Sequence, residues 1–220
     1  MANDLAEYRV SILATLLDAS NLKYSTATID EALRRCLNDY TRAFPDFTSV
    51  SITLAATGRT IALTSQTDLI SIFTCLHPYL STLTDIYERA REDYFVNWVA
   101  GIPYLHITGF PIPVSGEKIF LEYTKPQKVK DLDSAGGTTV RLDHKPILIS
   151  GAAGFAALIR SQSLNETWGG LPGQMPNLSQ WGNMMVRQFN EQLVIIRQEL
   201  NLNPFTKSSR WQLDEWDGEG

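Results

Sequence analysis

The sequence contains only two cysteines and three histidines in 220 residues. That is too few for a disulfide framework, and the histidines are not spaced as zinc ligands. Cys36 falls in a helical pattern and Cys75 in an apolar strand-like run, so both read as buried free thiols in a reducing cytoplasm. Basic charge is also scarce: 19 Lys and Arg against 24 Asp and Glu give a net charge of −5. Bulk electrostatics therefore give nucleic acid no general hold, and any contact with DNA is expected to be local or weak. Long apolar runs are lacking too. Asp4, Glu7 and Arg9 interrupt the first apolar stretch, whose longest clean run is Ser11 to Leu17, and no other segment reads as closer to a bilayer span. No export signal and no membrane contact are expected.

Catalytic patterns are missing as well. There is no G-x-S-x-G elbow, and Cys36 is explained by its helix stripe. His77, His106 and His144 each stand in different surroundings, with no second ligand at metal spacing. Asp131 and Asp133 precede a glycine turn, but a calcium loop needs a glutamate where this chain has Leu142. Gly151-x-x-Gly154 follows no strand and lacks nucleotide-binding spacing, so tight helix packing explains it. The expectation is no enzyme activity, no cofactor and no metal.

With 44% hydrophobic and 20% charged residues, the chain has the composition of a folded domain. Leu5, Tyr8, Ile12, Leu13, Leu16 and Leu17 share one side of a helix expected over Asp4 to Ala19. A second helix is expected from Thr28, with Thr28 and Glu31 as a capping box, and Pro45 ends it. Its stripe is Ile29, Leu33, Cys36, Leu37, Tyr40 and Phe44. The period then changes to two. Val50, Ile52 and Leu54, a Thr57-Gly58 turn, then Ile61 and Leu63 suggest a β-hairpin. Leu69 to Leu76, Tyr104 to Thr108 and Lys118 to Thr124 read as further strands, and Ser81 to Gly101 is ambiguous. Lys125 to Gly137 reads as a polar loop. A slim, small-residue helix follows from Pro146, and a last helix is capped by Asn177 after the loop Trp168 to Pro176.

The last twenty residues carry Phe205, Trp211, Leu213 and Trp216 without helical period, among Asp214, Glu215, Asp217 and Glu219. Such a segment alone buries too little apolar surface to offset its ordering entropy, so it is expected to dock on a partner. Phe205, Trp211, Leu213, Trp216, Asp214 and Glu215 are the candidate partner-binding residues. Lys125, Lys128 and Lys130 form a small basic cluster that could touch DNA or an acidic partner. Trp98 and Tyr104 could stack on a sugar or another ligand, although a β-core or subunit-contact role explains them better.

The fold class expected is α+β: a four-helix core (1–45 and 140–200), a β-rich insertion (46–139) between helices two and three, and an extended C-terminal tail (201–220). Thr28 to Tyr40, Gly58 to Thr64, Gly116 to Thr124, Thr138 to Val140, Gly151 to Ala157, and Arg160 stand out within this order. The order and these stretches together resemble the head–tail connector (adaptor) family of tailed bacteriophages. The resemblance implies a structural virion protein of the viral neck, assembled in the host cytoplasm. It also implies a homo-oligomeric ring, twelve-fold in that family, with the portal protein above and a stopper or tail protein below. DNA would pass through it without specific binding, as during genome ejection. The alternative is a carbohydrate- or ligand-binding module built on Trp98 and Tyr104.

Overall fold

The computed structural model describes residues 3–79, 93–167 and 174–202. It is a mixed α and β protein with four helices and two three-stranded sheets in these residues. They divide into two compact units, one formed by 3–46 with 127–202, the other by 47–126.

In the first unit, α1 runs Leu5–Thr15, α2 Thr26–Ala43, α3 Lys145–Thr167 and α4 Gln174–Leu202. Asp4 caps α1 by accepting the Glu7 N–H at 3.0 Å. The helix stops four residues earlier than its apolar pattern suggests, because Leu17 turns into the left-handed region (φ 53°). Asp18 then folds back, its carboxylate accepting the N–H groups of Leu22, Lys23 and Tyr24 at 2.7–3.1 Å. Burial alone would push this carboxyl up, but the three donors and the nearby Lys23 hold it below the usual carboxylate range.

α2 begins two residues before the expected cap. Ser25, not Thr28, is the N-cap, accepting the Thr28 N–H at 3.1 Å. Glu31 faces Arg35 at 3.0 Å and so does not close the box. α4 likewise starts earlier, so Asn177 lies inside the helix rather than at its cap. Pro176 sits in the first turn, where its missing N–H costs nothing.

One apolar core joins Tyr8 and Ile12 of α1, Leu33, Cys36 and Tyr40 of α2, Leu148, Ala152 and Ala156 of α3, and Phe189, Leu193 and Ile196 of α4. Cβ atoms added at Gly151 would lie 2.6 Å from Cys36 Sγ and from the Phe189 ring. α3 packs this closely because its facing positions carry glycine and alanine. Contrary to the expectation that no segment comes closer to a bilayer span than Ser11 to Leu17, Leu142–Leu164 is long and apolar enough to cross one by length and composition alone; Leu148, Ala152, Ala153, Ala156 and Ala157 are buried within the protein.

Residues 127–139 belong to this helical unit rather than to the β part. Val129 and Leu132 are buried in its core, Gln127 bonds Phe44 O at 3.0 Å, and Lys130 bridges to Asp4. The segment reads as a polar loop because its inward residues are sparse.

The second unit holds β1 (Asp46–Thr53, its first residue at the unit boundary), β2 (Thr60–Ala62), β3 (Ser71–Leu76), β4 (Tyr94–Val99), β5 (Ile102–Ile107) and β6 (Lys118–Lys125). The sheet orders are β1-β6-β3 and β2-β5-β4. The expected hairpin is therefore wrong: β1 and β2 lie in different sheets. The chain crosses over at Leu54, whose N–H donates to Glu117 O at 2.8 Å. Two alternating strands look alike in sequence whether they pair together or with distant partners. Leu54, Ile61, Leu63, Leu69, Cys75, Leu105, Ile107, Ile119 and Leu121 form one apolar core shared by both sheets. β4 and β5 are joined by Ala100 and Gly101, both with positive φ, as a tight two-residue hairpin requires.

Candidate interaction surface

The tail residues Phe205, Trp211, Leu213, Asp214, Glu215 and Trp216 lie outside the described residues. The lysine cluster is divided between the units. Lys125 is half-buried at the end of β6; Lys128 and Lys130 lie in the helical unit, half-buried and exposed. The backbone N–H groups of Lys128 and Lys130 donate to Thr139 Oγ1 at 2.9 Å and Thr138 Oγ1 at 2.8 Å. Those bonds fix an extended segment with Val129 turned inward, so the side chains on either side of it point outward.

Trp98 and Tyr104 do not come together. In the antiparallel β4–β5 pair, Asn97 stands opposite Tyr104 and Trp98 opposite Pro103. Directly opposed residues share a face and neighbours alternate, so Trp98 and Tyr104 occupy opposite faces. They cannot stack on one ligand from the same side. The face that Tyr104 does share carries Phe95, Asn97, Val99 and His106. There Phe95 stacks on His106 with ring centroids 4.7 Å apart. His106 Nε2 lies 2.8 Å from Asn97 Oδ1 and Nδ1 3.0 Å from Thr60 Oγ1. Asn97 Oδ1 only accepts, so Nε2 donates to it, and Thr60 Oγ1 holds the other ring nitrogen. Sequence spacing hid this chain because it runs across three strands.

The other two histidines are paired as well. His77 is buried with Nε2 2.9 Å from Glu117 Oε2, forty residues away in sequence. His144, just before α3, is buried and its Nδ1 lies 2.7 Å from the Tyr40 hydroxyl. Tyr40 and Phe44 pack edge-on against its ring. Burial holds the His144 pKa below its ordinary value, partly offset by Asp143, with Arg141 lowering it and Glu199 raising it slightly. Beside it, Lys145 Nζ lies 2.9 Å from Glu7 Oε2 and 5.1 Å from the Tyr8 ring centroid. Burial likewise pushes the Tyr8, Tyr40 and Cys36 groups up, leaving them neutral.

The Asp133 carboxylate, where the sequence speaks against a calcium loop, is taken by Arg34 at 2.7–2.9 Å, and this partner lowers its pKa. Among the described residues, no group of three or more His, Cys, Asp or Glu side chains is placed to hold a metal ion.

The His144 arrangement carries a sign. A histidine with a lowered folded pKa binds its proton more readily when unfolded. Its contribution to stability is complete above about pH 6.5 and is lost as pH falls toward the lowered folded value. Asp18, Asp133 and Asp143, all lowered from 3.8, lose theirs at more acid pH. Thermal melts between pH 7.5 and 5.5 should therefore show a falling Tm. His144→Gln, which keeps an acceptor for Tyr40 but does not titrate, should give a shallower fall. Equal slopes in both proteins would remove His144 as the cause.

No protein-family model matches this chain, and no curated protein matches it.

Proposed function

We propose that this chain is a structural adaptor of the tailed-phage neck: a four-helix core with a β-rich insertion between α2 and α3 and an extended tail. In this reading it forms a homo-oligomeric ring, twelve-fold as in the family it resembles. The ring binds the portal protein on one side and a stopper or tail protein on the other, and DNA passes without specific binding. The supporting observation is the order of parts. Helices α1, α2, α3 and α4 share one core, and the chain leaves it after α2 for a separate β unit and returns for α3. That order matches the arrangement on which the resemblance rests. A net charge of −5 suits a conduit that must not grip the genome.

Outward-facing apolar side chains fit a protein that works by contact. Leu17 and Leu22 are 88% and 84% exposed on the loop that Asp18 pins, and Phe110 is 81% exposed in the β unit. The test is co-expression with the portal protein encoded in the same genome, followed by purification and electron microscopy. Portal rings carrying an added density of this chain are the expected result. A protein that never joins portal rings at any concentration would overturn the reading.

A further inference from the structure

Among the described residues, each sheet of the second unit ends in two edge strands, and three of the four are guarded against pairing with another chain. β2 has only three residues. β3 is broken by a register shift between Ile72 and Thr74 that leaves Phe73 as a bulge. β1 starts on Asp46, and every second residue from Ser49 to Thr53 is Ser or Thr. β4 has none of these devices. Its sequence, Tyr94-Phe95-Val96-Asn97-Trp98-Val99, holds no charge, no proline and no bulge, and it pairs residue for residue with β5. Phe95, Trp98 and Val99 are each about half exposed, at 51%, 48% and 53%. An uncharged, aromatic and β-branched edge strand is a template for strand addition.

We propose that this edge pairs with the same strand of a second copy, antiparallel and centred on Asn97. The occupant follows from the residue pattern. For two copies to extend one sheet with matching faces, residues must oppose in pairs whose numbers sum to an even total. Centred on Val96, the register sets apolar Phe95 against polar Asn97. Centred on Asn97, it sets Phe95 against Val99 and Val96 against Trp98, each twice by symmetry, with Asn97 against Asn97. Every half-exposed apolar side chain then meets an apolar partner, and the only polar residue meets its own amide. With no charge on the strand, nothing repels a second copy and nothing selects a charged stranger. The contact is isologous and closes as a dimer, so it is separate from the heterologous contacts of a ring and does not rest on the adaptor reading.

The full-length chain is examined by sedimentation over a wide concentration range. A mass rising from 24.6 kDa toward twice that value, 49.2 kDa, is expected. Asn97→Lys and Asn97→Glu each place like charges face to face at the dyad and should stay at monomer mass with the far-ultraviolet spectrum unchanged. Each also alters the hydrogen bond between Asn97 Oδ1 and His106 Nε2, so a modest fall in Tm is expected in the single variants and the mixture isolates the effect of charge. An equimolar mixture of the two should restore the dimer, because Lys then faces Glu only in this register. The inference is overturned by a wild-type chain that remains monomeric throughout. It is equally overturned by single variants that self-associate like the wild type, or by a mixture that stays monomeric. Portal binding is read separately, so failure here leaves the adaptor reading standing.

Discussion

A leucine at position 154 is expected to lower Tm by about 10 °C. At this crossing α3 and α4 meet backbone to backbone. A Cβ at Gly154 would lie 2.8 Å from Met185 Cβ and 3.1 Å from Gly182 O, while one at Gly182 would lie 3.0 Å from Leu158 Cγ and 3.1 Å from Gly154 O. None of the nearest atoms at Gly154 is the free end of a flexible side chain, so relief requires the helices to part. Overpacking of this kind costs about 1–3 kcal/mol for small additions and more for larger ones. Alanine at 154 also gains about 1 kcal/mol of helix propensity, so Gly154→Ala should destabilise by a net of roughly 0–2 kcal/mol. Leucine adds three more carbons to a site already closed and should cost above ~3 kcal/mol, at about 2–4 °C per kcal/mol for a chain this size. Gly136, with open space around its Cβ position, is the control: Gly136→Ala should stay within ~0.5 kcal/mol. Circular-dichroism melts give the comparison directly. If Gly154→Leu melts with the wild type, the close crossing does not exist.

That crossing was visible in the sequence, since a helix written Gly-Ala-Ala-Gly-Phe-Ala-Ala has little reason to be slim unless a neighbour lies against it. The stripes of α1 and α2 were equally plain, because burial selects residues at helical spacing. Strand positions were legible for β3, β5 and β6, but partners were not. Alternation says that one face is buried and nothing about which strand lies alongside, so β1 and β2 were joined wrongly. Helix starts were missed by two or three residues at α2 and α4, where several residues able to cap stand close together. Ser25 won over Thr28 because its hydroxyl reaches the Thr28 N–H.

The chemistry of the surface was less legible than the fold. His106 and Asn97 are nine residues apart, and His77 and Glu117 forty, so no local motif could announce either pair. The opposite faces of Trp98 and Tyr104 were hidden for a related reason. Proximity in sequence across a hairpin says nothing about parity, and the two-residue turn at Ala100-Gly101 places them on opposite faces. The unguarded character of β4 is legible in its lack of charge, but only the sheet order shows that it is an edge among the described strands.

Removing residues 203–220 is expected to weaken portal association about a thousandfold while leaving the fold intact. The stability half of this expectation rests on the helical core. Its α4 members, Phe189, Leu193 and Ile196, all precede the cut, and α4 itself runs to Leu202. Tm should therefore move no more than an ordinary surface change allows, a few tenths of a kcal/mol. The binding half rests on composition. Trp211 and Trp216 are costly to keep in a segment of no helical period, and aromatic anchors of that size contribute about 2 kcal/mol each when they fill a pocket on a partner. Two anchors give about 4 kcal/mol, or close to three decades in Kd. Asp214 and Glu215 would meet basic groups at the rim and act mainly on the association rate, so the loss should grow smaller at high salt only in that component. Trp211→Ala and Trp216→Ala should each remove about half of the binding free energy lost on truncation. Equilibrium binding to isolated portal rings, measured beside thermal melts of the same proteins, separates the two halves. A truncated chain that binds portal as well as the full one while its Tm collapses would place the tail in its own core and end this reading.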